Sequence, residues 1–105
     1  LFTKPDDTAK KAVHMMRNFD ISQIAVMYRG TVVGSVSETT IIKHLDKNLA
    51  YVRINDIMDH PFPLVNEDDS VEILPDLLEF HSAVLVNRRG KVTGIITKAD
   101  LLSSR

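Results

Sequence analysis

The stretch richest in chemistry is Thr97-Lys98-Ala99-Asp100, a hydroxyl and a carboxylate three positions apart, followed by the apolar pair Leu101-Leu102. That spacing is a helix capping box. The Thr97 hydroxyl takes a first-turn amide, while Asp100 places negative charge where the helix dipole favours it. The same geometry suits a ligand. A carboxylate has two acceptor oxygens, enough for both hydroxyls of a ribose, and amides at a helix start beside a cation such as Lys98 suit a phosphate. The two roles are compatible, because a capping oxygen keeps a lone pair. Sixty positions earlier stands Ser37-Glu38-Thr39-Thr40. Ser37 keeps the hydroxyl, but Thr40 replaces the carboxylate with one uncharged hydroxyl, so two-pronged ribose binding is lost there. Glu38 is one position into the helix and faces elsewhere. From spacing alone the cap is the favoured role of both boxes; if they also hold a ligand, one competent site and one weak or vacant site are expected.

The elements that position these residues come in two copies. Ile24-Ala25-Val26-Met27-Tyr28-Arg29-Gly30-Thr31-Val32-Val33-Gly34-Ser35-Val36-Ser37 aligns with Val84 to Thr97 at an offset of sixty, both glycines of each G-x-V-x-G coinciding. Upstream, Ala9, Ala12, Val13 and Met16 have the spacing of one helix face, repeated by Val71, Leu74, Pro75 and Leu78 at an offset of sixty-two. The second copy is thus two residues shorter between helix and strand. Each copy reads as an amphipathic helix capped by Thr8 or Ser70 and running to about Asn18 or Phe80. A strand follows (23–28 or 83–87), then a turn at Arg29-Gly30 or Arg89-Gly90, a second strand (32–37 or 92–97) and a second helix. Ile41, Ile42 and Leu45 mark that last helix in one copy, Leu101 and Leu102 in the other. Both faces of each hairpin are apolar, so helices are expected to cover it. Pro75 would interrupt a helix begun at Ser70, so that helix either starts late, with Pro75 in its first turn, or bends there, the late start being the favoured reading.

The totals bound the function. Thirteen Lys+Arg and fourteen Asp+Glu give a net charge of −1 over 105 residues, so no global basic field draws the chain to nucleic acid. With no cysteine there is no disulfide, thiolate zinc site or cysteine nucleophile, which fits a reducing cytoplasm. No apolar run approaches a membrane span. His14, His44, His60 and His81 show no metal-binding spacing, no Gly-rich phosphate loop precedes a helix, and nothing assembles a nucleophile with an oriented base. A non-enzyme requiring no cofactor is expected. The start at Leu1, with neither initiator Met nor signal pattern, reads as the interior of a longer protein.

The doubled order of elements, the Val-x-Gly-x-x-Ser/Thr-x-x-Asp pattern ending in Gly94 to Leu102, and the linker Ile54-Asn55-Asp56-Ile57-Met58 together resemble a tandem pair of CBS domains (a Bateman module). The resemblance covers essentially the whole chain, with repeat 1 at 1–47, a linker at 48–60 and repeat 2 at 61–105. It implies an α+β fold of two β-α-β-β-α half-domains related by a pseudo-two-fold, with two clefts between them. It also implies a regulatory module that binds an adenosyl effector (AMP, ADP, ATP or S-adenosylmethionine) and passes its occupancy to an attached domain or a homodimer partner.

In such a pair, Asp100, Thr97, Ile95 and Lys98 would share the better cleft with Ile21, Ser22, Phe2 and Thr3. Ser37 and Thr40 would share the weaker one with Phe62, Pro63, Leu64, His81 and Ser82. The chain further resembles archaeal or bacterial transcriptional regulators that join a CBS pair to a DNA-binding domain, although this segment itself holds no recognition helix. Two alternatives stand beside this reading: a dimerisation module with degenerate clefts, and the CBS pair of an IMP dehydrogenase-related protein.

Overall fold

The computed structural model describes residues 1–103. They divide into two compact units, Leu1–Pro61 and one beginning at Phe62. In the first, strand β1 (Phe2–Thr3) leads to helix α1 (Ala9–Asn18), the hairpin β2 (Gln23–Tyr28) and β3 (Thr31–Ser37), and helix α2 (Glu38–Ile42). A single helical turn, α3 (Ile54–Ile57), follows. The second unit repeats the order: β4 (Leu64–Asn66), a 3-10 turn (Val71–Ile73), α4 (Leu74–Phe80), the hairpin β5 (Ala83–Arg88) and β6 (Lys91–Thr97), then α5 (Lys98–Ser103). Each unit has a three-stranded sheet, with β1 parallel to β2 and β4 parallel to β5, and each hairpin antiparallel.

The hairpins match register for register. Ala25 pairs with Ser35 and Val26 with Gly34, as Leu85 pairs with Ile95 and Val86 with Gly94, and each ladder slips once just after the glycine pair. Both turns carry positive φ at two successive residues, 50° and 80° at Arg29-Gly30 and again at Arg89-Gly90. That is the backbone twist a two-residue hairpin needs, and glycine at the second position supplies half of it without strain.

Thr8 caps α1 through the Lys11 amide (3.1 Å). Ser70 caps only the 3-10 turn, and the α-helix begins at Leu74 with Pro75 in its first turn, the late start that proline tolerates. One element falls short of expectation. Helix α2 ends at Ile42, and Leu45 lies beyond it in a turn closed by its amide on the Ile42 carbonyl (3.4 Å). The β-branched run Thr39-Thr40-Ile41-Ile42 gives little support to a longer helix.

The cores differ. In the first unit Ala9, Ala12 and Met16 of α1 pack with Ile24, Val26, Val36, Ile41, Ile54 and Ile57. The last two lie beyond the repeat, in the chain that leaves it. The second unit closes on Val65, Leu74, Leu78 and Val84.

Candidate functional site

Both motif boxes form. In the second unit Asp100 Oδ2 accepts the Thr97 amide (2.9 Å) and the Thr97 hydroxyl (3.1 Å), while the Asp100 amide reaches Thr97 Oγ1 at 3.4 Å. Asp100 is exposed, and its second oxygen meets no hydrogen-bond donor among the described residues. It stands at the rim of an open groove of about 660 Å³ lined by Val71, Glu72, Leu74, Pro75, Ile96 and Leu101. A carboxylate with one anchored and one open oxygen, beside an apolar trough, can take hydroxyls of a ligand whose remainder is flat and apolar. Lys98 is exposed one residue after the capping hydroxyl, and Ile95 is exposed on β6.

In the first unit the Ser37 amide donates to Thr40 Oγ1 (3.0 Å) and the Thr40 amide to Ser37 Oγ (3.2 Å). Thr40 is almost fully buried and donates its own proton to the carboxylate of Asp59. Since that proton is committed, the 3.1 Å contact between the two hydroxyls runs from Ser37 to Thr40. The relay is thus Ser37 to Thr40 to Asp59, three groups in line, where the second unit has Thr97 to Asp100 directly. A carboxylate therefore reaches the first box after all, nineteen residues downstream of Thr40.

Asp59 is carried there by the outgoing chain. It forms an antiparallel bridge to Ser35, amide to carbonyl both ways at 3.0 and 2.9 Å, and the Ser35 hydroxyl donates to the His60 carbonyl (2.6 Å). Gly34 is what lets the chain approach. A Cβ there would lie 2.5 Å from Met58 Sδ and 3.1 Å from the Asp59 carbonyl.

The other expected site residues fall in both units. Thr3 is buried, its hydroxyl donating to Asp7 (2.8 Å), while Phe2 is partly exposed. Burial pushes the Asp7 carboxyl up, but the Lys4 amide, the Thr3 hydroxyl and the Lys11 ammonium outweigh it and hold the group below its ordinary value. Ile21 and Ser22 line a groove of about 430 Å³ in the first unit with Met16, Glu38 and Ile41, and Ser22 donates to the Gln23 side chain (2.9 Å). In the second unit Phe62 is buried, the Pro63 carbonyl accepts the Leu85 amide (2.8 Å), and Leu64, His81 and Ser82 are exposed. Among the described residues no cluster of His, Asp and Glu is arranged to hold a metal, and no helix is long and apolar enough to cross a membrane.

A family model described as CBS domain matches residues 1–47 and 54–105. The crystal structure of the CBS domain NE2398 is similar at 23% identity and TM-score 0.90, covering 99% of this chain and 85% of that one. A Burkholderia ambifaria protein, proposed to be a signal-transduction protein with CBS domains, matches at 22% and 0.87 over 99% and 81%. The Methanocaldococcus jannaschii protein MJ1225, a proposed archaeal homolog of g-AMPK, matches at 21% and 0.84 over 99% and 43%.

Proposed function

The chain belongs to the CBS domain family, as a tandem pair forming a regulatory, ligand-binding module, and we propose that its effector is an adenosyl compound held by Asp100. The observation that carries this reading is the open oxygen of Asp100 at the rim of an apolar groove. The ribose hydroxyls occupy that oxygen, the adenine lies along the apolar wall, and Lys98 faces a phosphate or, in S-adenosylmethionine, the tail carboxylate. Binding shifts the packing of the module and so biases an attached domain, in the cytoplasm. A DNA-binding domain is the preferred parent, an IMP dehydrogenase-related one the alternative.

Calorimetric titration of AMP, ADP, ATP and S-adenosylmethionine tests the reading. Saturable binding by at least one is expected, weakened tenfold or more by Asp100→Ala. No binding by any of the four overturns it. A second reading, a homodimerisation module, draws on exposed apolar side chains at matching positions of the second helices, Ile42 and Leu102. On that reading Leu102→Glu splits a dimer seen by sedimentation, while Asp100→Ala leaves it intact.

A further inference from the structure

The first helices of the two copies agree on their buried faces and differ in sign on their exposed ones. At the offset of sixty-two, buried Ala12 and Met16 fall on buried Leu74 and Leu78. At the same offset Lys10 falls on Glu72, His14 on Asp76 and Arg17 on Glu79. All six of these residues are exposed. Their spacing of four and three sets each trio in one stripe, basic along α1 and acidic along the 3-10 turn and α4.

Local stability does not account for these charges. Lys10 stands in the first turn of α1, which holds no acidic residue, and Glu79 stands in the last turn of α4, which holds no basic one. Each opposes the dipole of its own helix. Among the described residues none of the six joins an ion pair; the α1 ammonium that does is Lys11, with Asp7 at 3.3 Å.

Apolar side chains lie beside the stripes. Ile42 of α2, 64% exposed, shares an open groove of about 430 Å³ with Val13 and Arg17 of α1. Its counterpart Leu102 on α5 is 73% exposed. A helix of one sign packed on its own copy faces like charge, and this chain carries one helix of each sign.

We propose that two copies of this chain associate with α1 of each against α4 of the other, so that the first unit of one meets the second unit of its partner. The two-fold that closes such a dimer makes both contacts at once. Ile42 and Leu102 supply apolar area, while the stripes choose which faces meet, because ion pairs at a rim select partners more than they add affinity. The inference rests on the homodimer reading and adds the pairing of faces to it; it involves no nucleotide.

The test is sedimentation of the 105-residue chain and its charge-reversed variants without nucleotide. A concentration-dependent dimer is expected of the parent chain. Lys10→Glu with Arg17→Glu makes both stripes acidic, and Asp76→Lys with Glu79→Lys makes both basic. Each pair should raise the dissociation constant tenfold or more while the thermal midpoint holds. Mixed in equal amounts, the two variants should form a dimer containing one of each, and all four substitutions in one chain should restore self-association. Should a reversal disturb the fold, Lys10→Gln with Arg17→Gln takes its place and should weaken the dimer threefold or more. A parent dimer indifferent to both reversals, or variants that fail to pair on mixing, would overturn the proposal and leave the homodimer reading standing. A parent chain that stays monomeric overturns both.

Discussion

The first unit and the second share a hairpin, a turn and a capping box, but residues 49–60 roof the outer edge and helix start of the first, while among the described residues nothing takes that place on the second. The consequence is visible in side-chain types. Under the roof stand small residues, Ala9, Gly34 and Ser35, each in contact with the covering chain. At the matching open positions stand Val71, Gly94 and Ile95. The glycine is common to both units, yet it is a steric requirement in one and unconstrained in the other. A duplicated residue thus keeps its identity while its physical role changes with what lies on top of it.

Damage to the roof should have the largest effect. Ile54 is fully buried, and Ile54→Ala should cost about 2–5 kcal/mol by lost transfer energy and a residual cavity. In denaturant unfolding with hydrogen exchange, the loss should fall on the first unit's amides. Gly34→Ala should cost about 1–3 kcal/mol, since the new methyl displaces Met58 and presses on a backbone carbonyl. Gly94→Ala should stay within about 0.5 kcal/mol, and a similar loss at both glycines in thermal melts would erase the distinction.

Thr40→Val should cost about 1–3 kcal/mol, because a buried hydroxyl that serves both Ser37 and Asp59 disappears. The smallest effect is the pH dependence from Asp7. Its folded value is depressed, so its contribution is present above the unfolded value and lost as pH falls through the folded one. Stability measured from pH 6 downward should therefore decline less steeply in Asp7→Asn than in the parent chain.

Most of the scaffold was legible before the structure, because it depends on local rules. Alternation and turn chemistry place both hairpins, the spacing of Ala9, Ala12, Val13 and Met16 places α1, and Pro75 places the start of α4. The box at Thr97 and Asp100 follows from residue spacing alone. What escaped is the carboxylate at the first box. Asp59 is nineteen residues from Thr40, and only the antiparallel bridge to Ser35 brings it there. Motif spacing carries no signal for a pairing made across a linker. The one available hint was the pair of apolar residues Ile54 and Ile57 ahead of Met58-Asp59, which marks the linker as buried rather than free. Leu45 misled for a different reason, since a hydrophobic position extends the apparent pattern of α2 past the point where its β-branched run stops supporting a helix.

The roof has a consequence in time. The strand that completes the first unit is not synthesised until Asp59 and His60 leave the ribosome, more than twenty residues after Ser37. At about 5–20 residues per second, the nascent hairpin waits on the order of seconds with Gly34 and the buried end of α1 uncovered. During that interval the growing chain presents to chaperones an uncovered β3 edge. The linker therefore acts as a delayed closing piece, and the first unit matures only as the second begins to be made.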